Sequence, residues 1–220
     1  MSTKRKLLIY GLGSILLLAG FFYFVFRGTD DWKVKLPVIS YVKPFHFVNQ
    51  AGDTITQDKM AGKVYVANYF FATCNGICPN MNGKLKTVFE QYKSEEEFAI
   101  ISHTCQPEND SVPALKKYCD SIGADGKQWQ FVTGNKLELY STARESYMID
   151  DPKNNVGKID DQFMHSQFLA LVDRQGRVRG IYDGLKQKEV NLLKEDIEGL
   201  LKEKDRSSFV NNIFGNAPSQ

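Results

Sequence analysis

The chain has almost no excess of charge of either sign: 28 lysines and arginines against 26 aspartates and glutamates leave a net +2 over 220 residues. No basic stripe interleaved with aromatics appears either, and together these absences exclude nucleic acid as a partner. Only four cysteines and three histidines are present, so any thiol or metal chemistry has few positions to draw on. No cysteine that could take a lipid follows the apolar N-terminal stretch, and no small-x-small cleavage site is evident after it. A lipoprotein leader and a cleaved signal peptide are both disfavoured on that ground. The 42% hydrophobic content suffices for one core, and one soluble domain is the expectation.

Leu7 to Phe26 is uncharged throughout, and about twenty such residues cross a hydrocarbon core of roughly 30 Å as a helix. Lys4, Arg5 and Lys6 precede it, a cluster that keeps a short N-terminus in the cytoplasm. The expected layout is a cytoplasmic end at 1–6, a transmembrane anchor at 7–26, a tether at 27–43, a folded domain at 44–206 and a flexible tail at 207–220. The protein is then a single-pass inner-membrane protein with its domain in the periplasm. In that compartment thiols oxidise unless something reduces or ligates them.

Within the domain, Phe45 to Thr56 alternates, turns at Gly52-Asp53 and alternates again, a hairpin signature. Val64 to Phe71 reads as a buried strand, Pro79 to about Lys93 as a helix, and Glu97 to Thr104 as a second strand. These make a βαβ unit. Asp110 or Ser111 can cap a helix that Gly123 stops near Ile122. Trp129 to Val132 reads as a short strand and Leu137 to Tyr147 as a helix. Phe168 to Asp173 and Arg177 to Tyr182 form a closing hairpin. Val190 to Lys204 has helical spacing, with Leu192, Leu193, Ile197, Leu200 and Leu201 as the buried face. This order predicts an α/β, thioredoxin-like fold with an added N-terminal β-hairpin.

The most informative residues lie at the first strand-to-helix junction, Phe70-Phe71-Ala72-Thr73-Cys74-Asn75-Gly76-Ile77-Cys78-Pro79. Proline suits the first position of a helix, which sets Cys78 at or next to the helix N-cap. Unpaired N–H groups and the positive dipole end there favour a thiolate, the form that acts as nucleophile and metal ligand. Three intervening residues including Gly76 let both sulfurs converge, either into a disulfide or around one ion. The plainer alternatives are two inert core thiols or a fixed staple between strand and helix.

His165, in Phe163-Met164-His165-Ser166-Gln167-Phe168, immediately precedes the hairpin strand. In a thioredoxin-like sheet that loop passes close to the junction cysteines, so His165 can complete a three-coordinate site. Two thiolates and an imidazole suit copper in either oxidation state, whereas a structural zinc site wants a fourth ligand that is not evident. The alternative is a strand-end histidine satisfied by a carbonyl. His46 and His103 lack the positional argument and receive no role.

With these residues assembled, the chain resembles the Sco/SenC family of cytochrome oxidase assembly proteins over roughly Phe45 to Leu201. The likeness rests on Cys74-Asn75-Gly76-Ile77-Cys78-Pro79 after an aromatic-rich strand, on Gln106-Pro107-Glu108-Asn109-Asp110, and on His165-Ser166 followed by Phe168 and Asp173-Arg174-Gln175-Gly176. The resemblance implies a membrane-anchored metallochaperone, not an enzyme, that binds one copper through Cys74, Cys78 and His165. Its partners would be the copper-receiving subunit of a haem-copper oxidase and a copper donor or thiol reductant. Reduction of the receiving cysteines by the same sulfurs is the alternative, making the chain a periplasmic thiol-disulfide reductase. More distant readings are a peroxidase and a copper or redox sensor. The family usually has an aspartate where this chain has Gln106, so no carboxylate is available at that position. Cys105 and Cys119 either form a second disulfide or stay unpaired, or Cys105 approaches Cys78.

Overall fold

A computed structural model describes residues 3–26, 36–155, 157–164 and 166–203. The N-terminal unit holds one helix, α1 (Thr3–Phe26), with an apolar stretch at Arg5–Phe24 of mean hydropathy 2.1, long and apolar enough to cross a membrane. It begins four residues earlier than expected and takes in the basic cluster.

The second unit is an eight-stranded mixed sheet in the order β1-β8-β7-β4-β5-β6-β2-β3. Its centre is the predicted βαβ unit: β4 (Val64–Phe70), α3 (Ile77–Tyr92) and β5 (Phe98–Thr104), continued by α4 (Val112–Ile122) and β6 (Trp129–Thr133). Strands β4, β5 and β6 run parallel. Every residue of β4 and β5 is buried, as expected where helices cover both faces of a sheet and the strands read as continuous apolar runs. Successive side chains alternate sides. Asn68 of β4 bonds Asn82 of α3, while its neighbour Tyr69 donates to the Leu139 carbonyl of α5 (Lys136–Ser141) at 2.7 Å. Antiparallel β7 (Phe168–Val172) and β8 (Arg177–Asp183) follow, then α6 (Gln187–Lys202). The thioredoxin-like element order is therefore observed.

The hairpin β2 (His46–Asn49) and β3 (Thr54–Thr56) adds antiparallel to β6, followed by the short α2 (Gln57–Met60). The expected tether is shortened. Ser40–Tyr41 forms β1 against Arg177 and Val178 of β8, Val42 is buried, and Lys43 N donates to Ser146 Oγ at 3.1 Å. Residues 40–43 thus belong to the domain. The rest of the tether, residues 27–35, and the tail at 207–220 lie outside the described residues.

Two helices differ from expectation. The helix predicted through Tyr147 is α5 only to Ser141 and continues as a π-helical turn, Thr142–Ser146. That turn carries Arg144 inward to Asp150 (Nε to Oδ2, 2.7 Å), with both side chains 6% exposed. In α6, Leu192 is exposed and Leu201 only half-buried, so Val190, Leu193, Ile197 and Leu200 form the buried stripe. Gly123 stops α4 as predicted, with φ 67°, the left-handed conformation that favours glycine at a helix end.

His103 of β5 is a core residue. Its ring stacks on Tyr69 at 4.8 Å and meets Phe47 edge-on at 5.4 Å. Burial pushes its pKa down from 6.5 to about 3, against a weaker opposing pull from the Asn68 carbonyl. Between those values the unfolded chain binds a proton that the folded one excludes, so stability is lost as pH falls through the window. The slope from this group is about 1.4 kcal/mol per pH unit. Urea titrations of the wild type and His103→Leu at pH 7, 5.5 and 4.5 are expected to show the difference between them shrinking as pH falls, approaching that slope between pH 5.5 and 4.5. Parallel pH profiles would refute it.

Candidate functional site

The cysteine motif occupies the carboxyl end of β4, where the chain leaves the sheet and turns into α3. Gly76 is the N-cap and the helix starts at Ile77, two residues before Pro79. This moves Cys78 from the helix mouth into its first turn, where it is buried. Cys74 takes the place expected for Cys78. Burial opposes its thiolate, but the Cys78 side chain and the backbone N–H groups of Cys78, Gly76 and Ile77 outweigh it and lower the Cys74 pKa. Those N–H groups are among the orphan donors of the new helix, which here converge on a sulfur. Cys78 is shifted upward, first by burial and then by donating its proton toward Cys74. The pair is thus unequal, with the thiolate favoured at Cys74 and the proton at Cys78.

The turn that presents Cys74 is tied down by Asp110, which the sequence offered only as a helix cap. Ser111 is the cap instead. The buried Asp110 carboxylate accepts the Thr104 hydroxyl at 2.5 Å and the Ala72 N–H at 3.1 Å. Burial raises its pKa, with those two donors opposing. Ala72 lies two residues before Cys74, and Cys74 N donates to the Phe71 carbonyl at 3.1 Å. The turn is therefore fixed to the 105–110 segment. Gln106 makes local bonds in that segment, donating from its N–H to Thr104 Oγ1 at 2.9 Å.

Beneath α3 runs a chain of side chains whose polarity can be assigned. Trp129 Nε1 can only donate, and it donates to Ser102 Oγ at 2.9 Å. Ser102 then gives its single proton to Asn68 Oδ1 at 2.6 Å, Asn68 Nδ2 donates to Asn82 Oδ1, and Asn82 Nδ2 donates to the Tyr118 oxygen at 2.8 Å. Asn82 stands one helical turn after Cys78 and both ends of its amide are hydrogen-bonded. The network satisfies polar groups that would otherwise be costly under the motif. Nothing in the sequence marked it except polar residues inside apolar runs.

Cys105 and Cys119 are both free and buried. Cys105 follows β5, with its N–H on the Phe70 carbonyl at 2.7 Å. Its thiol is pushed up chiefly by burial and then by its ionisable neighbours Cys78, Asp110 and Cys74. Cys119 sits at the other end of the sheet, its sulfur 3.7 Å from the Ala124 carbonyl, by the loop that enters β6. Their surroundings are separate. His46 is exposed and pairs with Glu138 at 3.1 Å. His165 lies outside the described residues. Among the described residues no group of three or more His, Cys, Asp or Glu side chains is placed to hold a metal.

The description SCO1/SenC belongs to the family model that matches residues 36–202. The chain belongs to the SCO1/SenC family. The SCO1 protein homolog of Bacillus subtilis (strain 168) is 27% identical over 186 residues, covering 83% of this chain and 94% of that protein. A solved structure of BsSco, described as a member of the Sco family of cytochrome c oxidase assembly proteins with a disulfide switch, matches with a TM-score of 0.65. It is 26% identical and covers 78% of this chain and all of that one. Bradyrhizobium japonicum ScoI with copper bound has the same fold, at a TM-score of 0.58, 20% identity, 73% of this chain and 99% of that one. Membership covers nearly all of the second unit, so the strand-to-helix motif stands within the family's domain.

Proposed function

We propose that this SCO1/SenC protein is a membrane-anchored copper chaperone for the binuclear copper centre of a cytochrome c oxidase, holding one copper through Cys74, Cys78 and His165. The carrying observation is the unequal thiol pair: two free sulfurs at one turn, one held toward the thiolate by three backbone N–H groups. Such a pair fits copper by its donor chemistry, since soft sulfur at low coordination number suits Cu(I) and one imidazole admits Cu(II). Copper is here the cargo. The chain's own part is to keep Cys74 deprotonated, shield Cys78 from solvent and bring His165 to the same place. The copper-bound relative supports the choice of metal.

The anchor reading follows from the apolar run of α1 and the Lys4-Arg5-Lys6 cluster at the start of that helix. It assigns the chain one pass through the inner membrane, with the N-terminus cytoplasmic and the domain periplasmic. There the partners are the copper-receiving oxidase subunit and a donor of copper or electrons. A second reading, thiol-disulfide reductase, is favoured by the same hydrogen-bonded Cys74 and Cys78 and by the disulfide switch described for BsSco. The two uses exclude each other at any instant, because a disulfide has no thiolate to offer.

The discriminating experiment titrates Cu(I) and Cu(II) into the reduced full-length protein in mild detergent, wild type beside His165→Ala. The expected result is one copper per wild-type chain with sulfur-to-copper charge-transfer absorption for Cu(II), and a large loss of affinity in the variant while disulfide reduction persists. A wild type that holds no copper but reduces disulfides readily would replace the first reading by the second.

A further inference from the structure

Asparagine followed by glycine is the dipeptide most open to deamidation, because the glycine nitrogen can attack the side-chain amide with no Cβ to hinder it and few limits on its backbone. The chain carries this pair twice, at Asn75-Gly76 and at Asn82-Gly83, and the fold treats the two oppositely. Asn75 lies between the motif cysteines, and both it and Gly76 are exposed. The helix α3 begins only at Ile77, and Gly76 as its N-cap has φ −95° and ψ −112°, outside helical geometry. The space around Gly76 is open. Apart from its chain neighbours, the nearest atom to a Cβ built there would be the Cys74 sulfur, 4.0 Å away. Asn82, by contrast, is buried in α3, with Oδ1 accepting from Asn68 and Nδ2 donating to the Tyr118 oxygen at 2.8 Å. The Gly83 N–H lies inside the helix, where such groups bond to the carbonyl four residues back. Cyclisation at Asn82 therefore requires α3 to open first.

We propose that Asn75 is a spontaneous modification site, at which the turn reacts with water, releases ammonia and is left with an acidic residue between the two cysteines. The Gly76 nitrogen gives its proton to solvent and bonds to Asn75 Cγ. The bond from Cγ to Nδ2 breaks, and ammonia leaves with a proton taken from water, so that a cyclic imide spans Asn75 and Gly76. Water then opens the ring. Breaking the bond from the Gly76 nitrogen to Cγ leaves aspartate. Breaking its bond to the Asn75 main-chain carbon leaves isoaspartate, in which the chain runs through the side chain and is longer by a methylene. Nothing is oxidised or reduced, and water is the sole co-reactant. The backbone N–H groups of Gly76 and Ile77 are directed at the Cys74 sulfur, and a chain lengthened between them and Cys74 no longer holds that register. The modification thus withdraws donors from the reduced pair. This holds whether the pair carries copper or reduces disulfides, so it stands apart from the choice between those readings.

The test holds reduced full-length protein in mild detergent at mildly alkaline pH under nitrogen. Peptides spanning each pair are followed by mass spectrometry, with isoaspartate identified by enzymatic methylation. Asn75 is expected to convert progressively to both products, while Asn82 lags by at least about tenfold, because only opened α3 reacts. In urea the two pairs are expected to react at similar rates, since the fold sets the difference. Gly76→Ala, which the open space accommodates, and Asn75→Gln are each expected to keep the turn intact over the same period. Modified protein gains a negative charge and is separated by ion exchange. Its Cys74–Cys78 equilibrium against glutathione is expected to lie further toward the disulfide than that of unmodified protein from the same sample. An Asn75 that stays intact in the folded protein, or an Asn82 that keeps pace with it, would overturn the proposed site. An unshifted dithiol equilibrium in the modified fraction would overturn its effect on the pair.

Discussion

Replacing Cys74 with alanine is expected to reduce copper retained by the full-length protein from one per chain to background, with loss of the sulfur-to-copper absorption. No other thiol can stand in. Cys78 alone leaves one soft donor, Cys105 is pushed up chiefly by burial, and Cys119 lies at the far end of the sheet. A thiolate, not a thiol, is the ligand, and Cys74 is the sulfur whose surroundings supply it. Cys78→Ala is expected to fail equally, since one soft donor is left. Cys119→Ser, remote from the turn, is expected to load normally and serves as the control. Metal analysis after desalting decides the matter, and a Cys74→Ala protein that still carries copper would remove the cysteine pair from the site.

Arg144→Met is expected to cost about 3–5 kcal/mol in urea unfolding, the usual penalty for stranding one member of a buried ion pair. Asp150 is almost wholly enclosed and accepts from Arg144 at 2.7 Å and from Asn154 Nδ2 at 2.7 Å. Without the guanidinium its charge has only that amide. Removing both charges, as Arg144→Met with Asp150→Leu, is expected to recover most of the loss, because paired removal leaves no bare charge behind. If the single and double variants are equally destabilised, the cost lies in packing against Tyr140 and not in the stranded carboxylate. The pair also ties the π-helical turn that follows α5 to the loop after it.

Much of this architecture was readable from residue patterns, and the misses share a cause. The β-branched and aromatic stretch at 64–71 and the apolar run Phe98-Ala99-Ile100-Ile101 located β4 and β5 to within one residue. Gly123 marked the end of α4 because its left-handed backbone has a residue-type signature. The start of α3 was misjudged by two residues. Pro79 is acceptable anywhere in a first turn, so it could not tell which cysteine would lie outside the helix, and the roles of Cys74 and Cys78 were exchanged as a result. Asp110 beside Ser111 looked like a capping choice. Its use in holding Ala72 depends on a contact 38 positions away in sequence, which local propensity does not encode.

The strand Ser40–Tyr41 is only two residues long, yet it alters where this protein can be cut. It pairs with Arg177 and Val178 on the outer edge of Arg177–Asp183, the strand that would otherwise end the sheet. A fragment begun at residue 44 would leave that row of backbone donors and acceptors bare, a template on which other chains can add strands and aggregate. The segment 40–43 is thus a selvedge for the domain, and the edge it binds lies far from it along the chain. Closure therefore pairs the first strand with the last, a long-range step of the kind that slows folding. Until it happens, a nascent chain carries its own adhesive margin.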